Sequence, residues 1–113
     1  MKISKETESK IIDLQTMEQN LQNLLMQKQR FQITQTEIDN ALEELKKTKD
    51  DAYKIIGSIM VKTKKDDLEK DLKEKKDLVD LRIKNIEKQE TKIKERAQEI
   101  QKEVMNKLEN EKQ

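Results

Sequence analysis

The chain reads as mostly α: two long helices lying antiparallel as a coiled coil, joined by one β-hairpin that assembles with other subunits into a larger sheet or barrel. Three observations predict this. Of the 113 residues only 32% are hydrophobic and 43% are charged, with no proline. That is too little apolar mass for a globular core, yet it recurs with a period instead of being scattered as in a disordered chain. On both sides of the centre the apolar residues return every seven positions. At the centre the period stops, and "AYKIIGSIMVKT" gathers strand formers around the only glycine, Gly57. The sequence therefore divides as a single domain over 1–113, with an N-terminal coiled-coil helix over 1–49, a hairpin over 52–63 and a C-terminal coiled-coil helix over 64–113.

In the first helix one core position falls at Leu14, Leu21 and Leu42, and the other at Ile3, Met17, Leu24, Phe31, Ile38 and Leu45. Lys10, Lys28 and Gln35 are polar members of the same seam. In the second helix Leu72, Val79, Ile86, Ile93 and Ile100 keep strict seven-residue spacing. Ile83, Ala97 and Val104 hold the companion position, which Lys76 and Glu90 interrupt. Each helix is roughly 70 Å long at about 1.5 Å per residue, too long for a compact bundle, and has one narrow stripe to bury. Laying the two stripes together buries both, and the near-equal lengths on either side of Gly57 favour an antiparallel hairpin of helices. Residues facing each other across such a coil have numbers summing to about 115–118, which sets Lys28 against Glu90. At the ends, Lys46, Lys47 and Lys49 suit the negative terminus of the first helix, and Thr63 with Asp66 reads as a capping box for the second.

The central run predicts two short strands flanking Gly57-Ser58, a pair suited to a tight hairpin turn. Ile56 then faces Ile59 and Ile55 faces Met60. Tyr53 shares a face with Ile55 and Met60, and Val61 joins Ile56 and Ile59, so both faces carry apolar side chains. One face is expected to rest on the ends of its own helices. A lone two-stranded hairpin is marginal in water and exposes two unpaired edges, so the remaining surface calls for the same element in further subunits. Tyr53, Ile55, Ile56, Gly57, Ile59, Met60 and Val61 are accordingly the expected oligomerisation residues.

Several function classes are excluded by composition. Twenty-five Lys and Arg balance twenty-four Asp and Glu, for a net charge of +1, and the two signs are interleaved. Nucleic acid is therefore not an expected partner, and residues 1–20 lack the basic block that a dimeric coiled-coil transcription factor needs ahead of its heptads. Histidine and cysteine are absent, which removes thiolate zinc sites and disulfides, and there is no glycine-rich phosphate loop. The paired acids Asp50-Asp51 and Asp66-Asp67 flank the strands as caps and solubilising gatekeepers, not as an acid–base or metal pair. No enzyme activity, metal or cofactor is expected. The opening "MKISKETESK" lacks the apolar core of a signal peptide and no segment approaches a membrane span, so a soluble cytoplasmic protein without membrane contact is expected.

The stretch "ALEELKKTKDDAYKIIGSIMVKTKKDDLEKDLKEKKDLVDLRIKNIEKQE", residues 41 to 90, resembles the prefoldin beta subunits, particularly those of archaeal type. Its most specific pieces are Tyr53 to Gly57, Val61-Lys62, and "LRIKNIEKQE" at Leu81 to Glu90. "NLQNLLMQKQRFQ", Asn20 to Gln32, is similar as well, while "DDAYK" is shorter than the acidic, valine-containing approach to the strand in that family. A single hairpin fits a beta subunit, because the alpha type has a second one. The resemblance implies a hexamer of two alpha and four beta subunits, its hairpins forming a central double β-barrel from which the coiled coils hang like tentacles. It also implies a chaperone without ATP, whose tips hold non-native polypeptides and deliver them to a group II chaperonin.

Gripping an unfolded chain needs apolar side chains that stay partly open and adapt to irregular partners, a task suited to methionine. Ile11, Ile12, Leu14 and Met17 near one terminus fall close to Ile100, Val104, Met105 and Leu108 near the other in an antiparallel coil. These eight are the expected client-binding residues, with Ile11 and Met105 placed beside the seam. The alternative is a structural or tethering coiled-coil oligomer without client binding.

Overall fold

The computed structural model describes residues 3–111. Helix α1 spans Lys5–Lys47, strands β1 and β2 span Ala52–Ile56 and Ile59–Thr63, and helix α2 spans Lys65–Glu111. Two long helices with an antiparallel two-stranded hairpin between them are thus the whole of the described architecture. With proline absent and the single glycine outside them, neither helix meets a breaker.

The ends of α1 are defined by local hydrogen bonds. Ser4 is its N-cap: the Thr7 amide donates to Ser4 Oγ at 3.2 Å and the Glu8 amide to the Ser4 carbonyl at 3.0 Å. Glu6 and Glu8 occupy the first turn and Lys46 and Lys47 the last, each sign favourable against the helix dipole. The Thr48 hydroxyl donates to the Glu44 carbonyl at 2.6 Å, and Lys65 Nζ donates to the Thr48 carbonyl at 3.2 Å, closing the end of α1 onto the start of α2. The expected Thr63–Asp66 capping box is not formed. Thr63 is still in the strand and its hydroxyl donates to the Val61 carbonyl, while the Leu68 amide donates to the Lys64 carbonyl, which makes Lys64 the capping position. Strand pairing holds Thr63 and leaves its side chain out of reach of the first helical turn.

The hairpin has the expected register, with Ile56 opposite Ile59, Ile55 opposite Met60, Lys54 opposite Val61 and Tyr53 opposite Lys62. Gly57 has φ 60°, and among the described residues none other than glycine has a positive φ, so Ser58 lies at negative φ. That is the two-residue type II′ turn, whose twist matches that of the strands it joins.

The chain falls into two compact units. The hairpin unit comprises residues 29–84. Its core is Ile38, Val79 and Ile83, against which Phe31, Leu42 and Leu72 pack, while Leu45 is buried as well. Gln35 donates to Asp80, Lys76 pairs with Asp39 at 2.6 Å, and Arg82 stacks 5.9 Å from the centre of the Phe31 ring. The terminal unit comprises the residues up to Lys28 and those from Asn85 onward. Ile86, Ile100 and Val104 are its buried apolar residues, and Thr7 and Glu90 its buried polar ones. In each unit partner numbers rise along α1 as they fall along α2, the signature of an antiparallel pair: Lys10 meets Glu103 and Lys28 meets Glu90 in one, Gln35 meets Asp80 and Asp39 meets Lys76 in the other. The heptad seams expected from sequence are buried or half-buried throughout, apart from Ile3, which precedes α1 and is exposed. The seam extends instead to Thr7, seven residues before Leu14.

Candidate functional site

Two surfaces stand out, one in each unit. In the hairpin unit, Tyr53, Ile55, Ile56, Ile59, Met60 and Val61 are all exposed, from 42% at Val61 to 71% at Ile55. The expectation that one face would rest on the ends of its own helices is corrected here. Only Ala52 at the base is buried, and Thr63 opposite it is half-buried. Beyond that base the strand side chains are all exposed, and among the described residues the one ion pair from the ribbon to a helix side chain is the exposed pair of Lys54 with Asp71 of α2. Alternation therefore puts Tyr53, Ile55 and Met60 on one open face and Ile56, Ile59 and Val61 on the other.

At the base of the ribbon a cleft of about 720 Å³ is lined by Lys62, Lys64 and Lys65 and by both acidic pairs, Asp50-Asp51 and Asp66-Asp67. Lys62 Nζ lies 3.2 Å from Asp51 Oδ2, and Lys54 Nζ lies 3.7 Å from Asp71 Oδ2. The first of these joins the two strand ends by charge. Among the described residues no cluster of acidic side chains has an arrangement that could hold a metal ion.

In the terminal unit the eight apolar residues expected to meet a client differ widely in access. Ile12 and Met105 are the open ones, at 59% and 62%. Ile11, Leu14, Met17 and Leu108 are half-buried, and Ile100 and Val104 are buried in the seam. A groove of about 480 Å³ runs beside the seam, with Ile11, Leu14 and Leu21 on one wall and Ala97 on the other. Ala97 creates it, since a methyl group stands where the neighbouring seam positions carry Ile93 and Ile100.

The terminal unit also contains cross-helix ion pairs whose glutamates, Glu6 and Glu103, apolar periodicity could not single out. Lys107 Nζ lies 2.6 Å from Glu6 Oε1 and Lys10 Nζ 2.8 Å from Glu103 Oε2, both across the two helices. Hydrogen bonding to Lys107 holds the Glu6 carboxyl below its ordinary value, and hydrogen bonding to Lys10 does the same for Glu103. Donating that bond to Glu103 in turn raises the Lys10 ammonium above its ordinary value. Deeper in the same unit Lys28 Nζ lies 2.8 Å from Glu90 Oε1, the pairing the heptad frames call for, and here both side chains are largely shielded from water.

A sequence model of the family described as "Prefoldin subunit" matches residues 8–111. The chain belongs to this family of prefoldin subunits. Prefoldin subunit beta of Archaeoglobus fulgidus is 39% identical over 100 residues, covering 87% of this chain and 86% of its own. Prefoldin subunit beta of Thermococcus kodakarensis is 37% identical, covering 84% and 83%. Among solved structures, the prefoldin beta subunit of Thermococcus strain KS-1 superposes with a TM-score of 0.88 at 31% identity, covering 95% of this chain and 96% of that one. Prefoldin subunits are chaperone subunits, and the two-helix, one-hairpin plan found here is that of the superposed beta subunit. No described helix is long and apolar enough to cross a membrane.

Proposed function

We propose that this chain is one subunit of an ATP-independent holdase that assembles through its hairpin, captures unfolded polypeptides with its terminal unit and passes them to a group II chaperonin. The partners in that reading are an alpha-type prefoldin subunit, in a hexamer of two alpha and four beta chains, and non-native polypeptides. The cytoplasm is its setting. The observation that carries it is the exposure of apolar side chains on both faces of a ribbon with two unpaired edges. A β-ribbon of this kind is stable only when further strands cover it, which is what a barrel of several hairpins supplies. Tyr53, Ile55, Ile56, Ile59, Met60 and Val61 would form that barrel, with Gly57 making its turn.

The capture step draws support from a second apolar set, Ile11, Ile12, Leu14, Met17, Ile100, Val104, Met105 and Leu108, in the other unit. Ile12 and Met105 already face solvent. At about 25 cal/mol per Å² a few such contacts give a weak grip, which several subunits acting together would multiply. The test is removal of residues 101–113, alongside the double variant Ile11→Ser with Met105→Ser. Both should keep the assembled mass by light scattering and lose suppression of aggregation of guanidine-denatured lysozyme. Equal suppression by truncated and full-length complexes of the same mass would refute capture and favour a tethering oligomer.

A further inference from the structure

Six of the eight residues assigned to capture are not free in the terminal unit: Ile100 and Val104 are buried, and Ile11, Leu14, Met17 and Leu108 are half-buried. To grip a client with them the unit must first part its two helices. Toward the chain ends, however, polar side chains enter the seam beside Val104. The seam positions seven residues beyond Leu14, Met17 and Ile100 are Thr7, Lys10 and Lys107. Two lysines and a threonine thus take places that leucine or isoleucine fills elsewhere.

Each of those lysines crosses the seam to a glutamate that immediately precedes a buried seam residue of the opposite helix. Lys10 reaches Glu103, next to Val104, at 2.8 Å, and Lys107 reaches Glu6, next to Thr7, at 2.6 Å. Glu6 lies 3.7 Å from Lys10 on its own helix as well, so the four side chains form one continuous run of alternating charge, Glu103, Lys10, Glu6 and Lys107. Beneath this run Thr7 has no exposed surface, and its hydroxyl is 2.9 Å from Ser4 Oγ.

We propose that Glu6, Lys10, Glu103 and Lys107 form an ionic clasp that closes the terminal unit over its apolar seam, and that opening this clasp is the step that admits a segment of unfolded polypeptide. The proposal rests on the capture reading above and adds a gate to it. Exposed ion pairs are individually weak and screened by salt, a poor lock but a suitable latch. A seam closed by such pairs opens locally far more often than the whole chain unfolds, and each opening uncovers Ile100 and Val104 while the hairpin unit keeps its fold.

The test compares three assembled full-length complexes: wild type, Lys10→Gln with Lys107→Gln, and Lys10→Leu with Lys107→Leu. Glutamine removes the charges while keeping helical preference, and leucine converts the same layer into ordinary apolar seam. Amide hydrogen exchange over residues 5–14 and 97–111 reads the clasp without any client. Two lost pairs should make exchange there roughly threefold to tenfold faster in the glutamine variant. Raising salt from about 0.05 to about 0.5 M should do the same to wild type. The leucine variant should exchange more slowly than wild type and lose the salt response. The rate of capture of guanidine-denatured lysozyme should rise in the first variant and fall in the second. Unchanged exchange in the glutamine variant at low salt would overturn the clasp. Altered exchange with an unaltered capture rate would overturn the gate. Failure of the capture reading itself shows separately, as undiminished capture by wild-type complexes lacking residues 101–113.

Discussion

Replacing the pair Lys28–Glu90 by leucines, singly and together, should separate the strength of an interaction from its effect on stability. The two groups meet at 2.8 Å, with side chains 20% and 10% exposed. At that distance and an effective dielectric near 20, the Coulomb attraction is about 6 kcal/mol, most of which is offset by the cost of drawing two charges out of water. Lys28→Leu leaves the Glu90 carboxylate shielded and unpaired, which costs about 3 kcal/mol. Glu90→Leu leaves an ammonium on a long flexible stem that can reach solvent, so the loss is smaller, about 1–2 kcal/mol. The double variant continues the apolar seam between Ile86 and Ile93 and should match or exceed wild-type stability, with a coupling of about 4–5 kcal/mol or more between the sites. The assay is thermal unfolding followed by circular dichroism at one protein concentration, where each kcal/mol moves the midpoint by about 4 °C in a chain of this size. Additive losses, with the double variant as unstable as the two singles combined, would refute the pairing.

Two further outcomes are expected. Ile56→Lys with Ile59→Lys puts two directly opposed charges on one face of the ribbon, so light scattering should show loss of the assembly with helical content retained, and particles of wild-type mass would exclude the hairpin as the interface. The pH dependence follows from the exposed ion pairs. The carboxyls of Glu6, Glu103 and Glu69 are held below their ordinary 4.5 by hydrogen bonds from Lys107, Lys10 and Lys73, so their contribution is complete above that value and is lost as pH falls through the depressed ones. Lys10 and Lys76 are raised above 10.5 by hydrogen bonds to Glu103 and Asp39, so theirs is lost only as pH rises through the raised values. Thermal midpoints should be flat between those limits and fall at both ends, and a midpoint that rises on acidification below 4.5 would contradict the assigned pairs.

Much of this architecture is legible because a heptad repeat states both which residues are buried and how far apart they are. Writing the frames from Leu14 and Leu72 determines the antiparallel register well enough to place Lys28 opposite Glu90, and the strand formers around Gly57 give the hairpin register pair by pair. Thr7 was hidden because it is polar, although a step of seven back from Leu14 lands on it, and Ser4-Lys-Glu-Thr7 carried a capping signal at the same place. Thr63 misled in the opposite sense: its spacing to Asp66 suits a helix start, but the residue was already committed to a strand pair with Ala52. The open state of both hairpin faces was not legible, because strand alternation states which side chains share a face and not what packs against it. Access to the candidate client residues was only partly readable. Periodicity separates seam positions from their neighbours, which distinguishes Met105 from Val104 and places Lys10 and Lys28 on the seam, but Glu6 and Glu103 lie beside it and carry no period of their own.

The two-residue turn at Gly57-Ser58 also sets an order of events in time. Residues that pair across the coil are far apart along the chain, 37 positions for Asp39 with Lys76, 45 for Gln35 with Asp80 and 62 for Lys28 with Glu90. Closing the largest of these loops directly from an open chain costs about 3–4 kcal/mol in entropy before any contact rewards it. Once the turn has closed, each successive pair needs only a short advance along the chain from the one before, so pairs near the turn should form before those near the termini. Substitutions near Leu45 and Leu72 then slow folding, whereas those near Val104 leave the folding rate alone and quicken unfolding. On that order, contacts at Ile100 and Val104 should be the last to form on folding and the first to part on unfolding, which hydrogen exchange measured against time after dilution from denaturant would show.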